Sequence, residues 1–178
     1  VELELHGERL SPALVEDLVS RRLDVAVMRD PDPDSSLAVR PLRSERLVAA
    51  LPADHSLAGA GSVELSALRG SAFVTHPSGH RSVMYDAVIQ ACRGVGFLPA
   101  EVVEVRETAT LVAFVAAGMG VALVPEPVRS LAVEGVEFRD LADVDHRTEL
   151  VVATRSDDTA APVARVVEAV FGATAGRQ

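Results

Sequence analysis

Residues 108–125 read TATLVAFVAAGMGVALVP. Thr108 to about Ala117 has the composition of a helix, Gly118-Met119-Gly120 follows, and Val121 to Val124 is a short apolar run that Pro125 ends. A helix that passes through two glycines directly into a strand makes a tight turn, because glycine takes backbone conformations closed to other residues. It belongs to an α/β layer. The same glycines exclude a dinucleotide fingerprint: the third glycine is missing, and the pair closes a helix where that motif opens one.

Strands and helices alternate on both sides of this unit. Residues 1–5 (VELEL) alternate like a half-buried strand. Ser11-Pro12 predicts a helix start, with Ser11 as N-cap and Pro12 at the first helical position, and Leu14, Val15, Leu18 and Val19 form its apolar stripe. Residues 23–28 (LDVAVM) have the character of a fully buried, parallel-sheet strand. A turn-rich loop over 30–36 leads to an extended segment at Leu42 and a strand over 47–51. After a loop over 52–62, residues 63–68 predict a helical turn and 71–75 a strand. His76-Pro77-Ser78-Gly79-His80 is a loop into a helix from Arg81 to about Gly94, with Val83, Met84, Ala87, Val88, Ala91 and Cys92 at helical spacing. Residues 102–105, 136–138 and 150–154 predict strands, and 162–171 a terminal helix. Alternation at these lengths predicts an α/β fold with mostly parallel sheets.

Composition narrows the function. The 178 residues carry a net charge of −9 and only six aromatics. Nucleic-acid binding rests on Lys and Arg neutralising phosphates, so this chain is a poor direct partner for DNA. The single cysteine, Cys92, excludes an intrachain disulfide and a multi-thiolate zinc site; it is expected in the core. Charges run through the first fifteen residues, with no apolar signal-peptide core, and the run from Leu111 to Val124 is too short to span a bilayer, so a cytoplasmic location is expected.

Seven segments match, in order, the effector-binding domain of LysR-type transcriptional regulators. They are Leu23-Asp24-Val25-Ala26-Val27, Pro41-Leu42-x-x-Glu45-x-Leu47-Val48, His55-Ser56-Leu57-Ala58, Phe73-Val74, Cys92-x-x-x-Gly96-Phe97-x-Pro99, Val115 to Pro125, and Gly135-Val136. The resemblance implies a type 2 periplasmic-binding-protein-like fold: two α/β subdomains joined by two crossover strands, with a cleft between. It assigns residues 1–41 and 145–178 to subdomain I and 42–144 to subdomain II. The family's N-terminal winged helix-turn-helix has no counterpart here, nor do the first strand and helix of subdomain I. Direct operator binding would belong to a domain outside this sequence. The family further implies a homodimer or tetramer and a small organic anion, a carboxylate in chemistry, as effector.

The family's effector residues carry over to a limited set. The loop Pro77-Ser78-Gly79-His80-Arg81 joins a strand end to a helix start, where backbone N–H groups and the helix dipole attract anions, and Arg81 can hold a carboxylate in two places. Ser11 resembles the family's hydroxyl contact, or Leu10 if the match shifts by one. Thr75, at a strand end, and Thr108, as N-cap of its helix, complete the set. Arg29, Arg43 and Glu45 match a hinge or secondary site near the crossover, against the plainer reading of a solvated surface cluster. With the Glu104-Val105-Arg106-Glu107 segment, these three look most like the branch that answers to muconate or benzoate.

Other chemistries find little footing. His6, His55, His76, His80 and His146 lack metal-ligand spacing, and no cofactor motif is present. There is no G-x-S-x-G elbow and no Walker loop, so no enzyme is expected. A transporter's solute-binding protein, or a deaminase or dehydratase on the same fold, are the alternatives.

Overall fold

The computed structural model describes residues 2–29, 36–80 and 82–175, without the side chains of His80 and Ala175. The chain forms two compact units, Val1–Ser44 with Glu149–Gln178, and Glu45–Thr148. Two long strands carry the chain from one unit to the other and back: β2 (Leu37–Pro52) and β8 (Arg147–Arg155). Residues 42 and 47–51, expected as an extended segment and then a strand, belong to one sixteen-residue strand.

The first unit holds α1 (Ser11–Val19), β1 (Val25–Arg29), the ends of β2 and β8, and α4 (Ala161–Ala175). β1 pairs with β8 in antiparallel register, from Val25↔Thr154 to Arg29↔Leu150. The mostly parallel pairing expected from the sequence does not hold here, because β8 is the returning strand and runs against β1. Alternate residues Ala26, Met28, Val151 and Ala153 bury against Leu18, with Leu14, Val15 and Leu23 packed around them. Val27, on the other face of β1, is 43% exposed, so β1 is not the fully buried strand its composition suggested. Nor do residues 2–9 form a strand: all are exposed, Leu3 and Leu5 included, because no strand among the described residues pairs with them.

Two buried charges brace this unit. The Asp17 carboxylate, 1% exposed, accepts from Arg9 and from Arg22 Nε at 2.7 Å. Arg155, 7% exposed, donates to Leu18 O at 3.2 Å, Leu23 O at 2.6 Å, Asp24 at 2.7 Å and Asp158 at 2.5 Å. One guanidinium thus ties together the end of α1, the turn into β1 and the chain after β8. α4 is held at its far end by Arg40, which lies 4.2 Å over the Phe171 ring and pairs with Glu168 at 2.8 Å.

The second unit contains β3 (Ser62–Val63), β4 (Phe73–Thr75), α2 (Val83–Gly94), β5 (Val102–Glu104), α3 (Thr108–Ala116), β6 (Ala122–Pro125) and β7 (Val136–Leu141). The second half of β2 pairs antiparallel with β6 on one side and β7 on the other; β3–β7 and β4–β5 are parallel. β2 is buried on both faces here. Leu47, Ala49 and Leu51 pack with Phe73, Val121, Leu123 and the α2 residues Met84, Ala87, Val88, Ala91 and Cys92. Val48 and Ala50 pack with Val74, Ala122, Val124 and the α3 residues Leu111, Val112 and Val115. The period-two alternation of side chains therefore splits one apolar run between two helical layers. Each fully buried large side chain contributes about 1.5–3 kcal/mol.

The Gly-Met-Gly turn has a steric cause. Gly118 has φ +75, and Gly120 comes so close to β4 that a Cβ there would lie 2.5 Å from Ala72 O. That approach lets Val121 N–H donate to Ala72 O and Val74 N–H to Val121 O, each at 2.8 Å, so the strand starts against β4 with no spacer.

Candidate functional site

In the second unit the register Thr75↔Glu104 ends β4 and β5 side by side, and Val105 N–H donates to Thr75 O at 2.9 Å. Both strands run the same way, so both following segments leave from the same edge. After β4 come His76, Pro77, the short 3-10 turn Ser78–His80 and Ser82, whose hydroxyl accepts from Tyr85 N–H at 3.3 Å and caps α2. After β5 the chain turns through Glu107 into α3. Carboxyl ends of parallel strands with helix starts beside them form the edge where open α/β sheets take ligands.

The expected residues fall unevenly on this edge. Thr75 and His76 are 2% and 6% exposed and Pro77 is buried, while Ser78 and Gly79 are exposed. Ser78 gives both its donors to one carboxylate oxygen: its N–H lies 3.0 Å and its hydroxyl 2.7 Å from Glu104 Oε1. Thr108 is the first residue of α3 and not its cap; the cap position is Glu107, which makes no side-chain capping bond. The helix begins one residue earlier than the N-cap reading placed it, with Glu107, extended at ψ 137, in the cap position. Arg81 and the side chain of His80 lie outside what the structure describes.

In the first unit the same one-residue offset recurs. Leu10 is the cap position of α1, its carbonyl accepting from Ala13 N–H at 3.0 Å and Leu14 N–H at 3.2 Å. Ser11 is inside the helix, and its hydroxyl donates to Arg29 O at 2.8 Å instead of capping. That bond fixes the start of α1 to the end of β1. Arg43 is exposed on β2, whereas Glu45 is 3% exposed, so Glu45 is not part of a solvated cluster.

One cavity of the second unit lies among other residues. It measures about 420 Å³ and is lined by Arg46, Leu47 and residues 140–145. Its polar groups are engaged: Arg46 binds Glu126 at 2.9 Å, Arg129 binds Asp140, and Asp143 accepts from Leu65 N–H at 2.7 Å and Ser66 N–H at 3.3 Å. Among the described residues no group of three or more His, Cys, Asp or Glu is placed to hold a metal ion, and no helix is long and apolar enough to cross a membrane. Cys92 is fully buried and burial pushes its thiol up to about 11, which makes it inert packing.

Glu104 is the residue that sequence reasoning did not place. In the sequence it stands out only through the resemblance of its segment to one branch of a family. Its position beside Ser78 depends on the pairing of β4 with β5, which no local pattern encodes.

Comparisons with known proteins agree with this architecture. The family profile described as the LysR substrate binding domain matches residues 1–175. The transcriptional regulator AlsR of Bacillus subtilis (strain 168) is 28% identical over 158 residues, covering 89% of this chain and 52% of the regulator. ShiR of Corynebacterium glutamicum (strain R) is 36% identical over 123 residues, covering 69% and 42%. The chain thus spans about half the length of the curated relatives it matches. Among solved structures, the BenM effector-binding domain with its effector benzoate superposes with a TM-score of 0.79 at 27% identity, covering 96% of this chain and 78% of that one. The effector-binding domain of QuiR in complex with shikimate reaches 0.80 at 16% identity, a likeness of fold alone, over 94% and 79%. The two curated relatives are named as transcriptional regulators and not as enzymes or transport proteins. With two α/β units of the type 2 periplasmic-binding-protein kind and a family match over nearly its whole length, the chain belongs to the LysR substrate-binding-domain family.

Proposed function

We propose that this chain is the sensor of a LysR-type regulator, and that its effector is a small organic carboxylate bound at the edge formed by the ends of β4 and β5. The supporting observation is that Ser78 at this edge already holds a carboxylate oxygen through its N–H and hydroxyl. Two helix starts add favourable dipoles for an anion. Arg81, next to this turn in sequence, is proposed as the fixed positive charge; Pro77, Gly79, His80, Thr75 and Thr108 shape the turn and its surroundings. In the other unit, Ser11 and Leu10 are proposed as contacts on the family resemblance, Ser11 as an acceptor since its proton is committed to Arg29 O. Benzoate and shikimate, the molecules bound by the two structural neighbours, are both carboxylates.

The two units, Val1–Ser44 with Glu149–Gln178 and Glu45–Thr148, are proposed as the family's two subdomains. DNA contact is assigned to a domain outside this sequence, consistent with the charge of −9, and the protein is proposed to work in the cytoplasm as a homodimer or tetramer. Sensing then means differential affinity of the effector for two states of the regulator. Arg29, Arg43 and Glu45 are proposed to respond at the crossover and not to hold the effector.

Thermal unfolding against benzoate, cis,cis-muconate, salicylate, shikimate and amino acids tests the reading. A ligand at 100 times its Kd adds about 2.7 kcal/mol of stability. A specific upward shift for one carboxylate, lost in Arg81→Ala and Ser78→Ala, is the expected outcome. A shift that survives both substitutions would place the ligand elsewhere.

A further inference from the structure

We infer that Glu104 is a resident competitor for the effector's carboxylate at Ser78, and so is a specificity-determining residue of this edge. The inference rests on the effector site proposed above. Its ground is one contact: Glu104 Oε1 accepts the Ser78 N–H at 3.0 Å and the Ser78 hydroxyl at 2.7 Å. A backbone N–H and a hydroxyl converging on one oxygen are the donors a bound organic acid would need from this turn.

The fold puts the carboxylate there. Glu104 is the last residue of β5 and is paired with Thr75, the last residue of β4. Ser78 follows Thr75 by three residues, so the strand register brings the side chain and the turn together. Ser78 and Glu104 are both exposed. Water competes for such a contact, which makes it weak enough for a ligand to displace.

The chemistry then separates ligands by charge. An incoming carboxylate meets occupied donors and a like charge beside them. An uncharged acceptor of the same shape meets the occupied donors alone. Glu104 therefore weakens anions more than neutral molecules. Binding of the preferred anion is coupled to release of the Ser78–His80 turn from β5, which gives this edge distinct free and bound arrangements.

Calorimetric titration of the protein, Glu104→Gln and Glu104→Ala with benzoate, shikimate and benzamide tests this, benzamide being the uncharged counterpart of benzoate. Glu104→Gln is expected to tighten a carboxylate by about fivefold or more and benzamide by less than about twofold, the scale of a screened like-charge interaction at an exposed edge. Glu104→Ala, which also vacates the donors, is expected to tighten both. If a carboxylate binds the unsubstituted protein and binds Glu104→Gln equally or more weakly, Glu104 positions the turn and the inference is wrong while the effector site stands. If no carboxylate binds any of the three proteins, the site and the inference fall together.

Discussion

The two units of this chain are stabilised in different ways. Glu45–Thr148 is built from two apolar layers on a strand buried on both faces, with α2 on one side and α3 on the other. Val1–Ser44 with Glu149–Gln178 has a smaller apolar core and is braced by buried charges, Asp17 with Arg9 and Arg22, and Arg155 with Asp24, Asp158 and two carbonyls. Their helix starts differ in the same sense. In the first unit the Ser11 hydroxyl is spent on the chain's own Arg29 carbonyl; in the second, Ser78 holds an exposed carboxylate that a ligand could replace. An apolar unit can leave polar donors at its rim, because its stability does not depend on them. A unit held by polar contacts has fewer to spare.

That contrast breaks first under core substitution. Phe73 is fully buried between β2 and α2. Phe73→Ala is expected to cost about 3–5 kcal/mol in urea unfolding, through lost transfer energy and a cavity. Arg155→Met keeps the aliphatic stem but removes one donor each from Leu18 O, Leu23 O, Asp24 and Asp158, and is expected to cost about 2–4 kcal/mol. Hydrogen exchange should place the faster opening in α2 and β4 for the first variant and in α1 and β1 for the second. A loss under about 1 kcal/mol for Arg155→Met would show that the charges are incidental and that both units are apolar constructions.

The glycines sharpen the comparison within the second unit. Gly120→Ala forces a Cβ to 2.5 Å from Ala72 O, a backbone atom that cannot swing aside. It is expected to cost about 2 kcal/mol or more, by separating β6 from β4. Gly79 stands in open space, with nothing within 4 Å of a Cβ and no positive φ. Gly79→Ala should change stability by less than about 0.5 kcal/mol. It therefore probes the proposed site in ligand titrations without disturbing the fold, and a large loss of stability in this variant would show that the turn is part of the scaffold.

What the sequence made legible follows the range of the interactions involved. The helix–Gly-Met-Gly–strand unit was readable because its requirement is local, and the stripe on α2 because five of its residues, Met84, Ala87, Val88, Ala91 and Cys92, recur at helical period and are buried. The alternation over residues 1–5 predicts a strand only where a partner pairs with it, and among the described residues none pairs with 2–5. Ser11 and Thr108 were each displaced by one position, since either side of a helix start accepts a hydroxyl and tertiary contact decides which residue turns first. No sequence pattern singles out Asp17 or Arg155; only long-range packing buries them. Glu104 was invisible as Ser78's partner for the same reason, and Arg81 lies outside the described residues.

The effects of pH approach the two units from opposite ends. In the first unit the Asp158 carboxyl lies below its ordinary 3.8, chiefly because it accepts the Ala160 N–H and then because of Arg155. A carboxylate with a lowered folded value contributes stability above its unfolded value and loses it as pH falls through the folded one. That contribution should fade from about pH 4 downward, and Asp158→Asn should remove this part of the acid limb. In the second unit burial raises the Cys92 thiol from 9.0 to about 11. A raised folded value gives stability that is whole below the unfolded value and is lost as pH climbs through the folded one, because the unfolded thiol ionises first. Urea midpoints of the unsubstituted protein should therefore decline between pH 9 and about 11, and Cys92→Ala should flatten that decline while costing stability at every pH. If Cys92→Ala keeps the full alkaline slope, other groups set it, and the second unit's tolerance of pH is not a matter of its buried thiol.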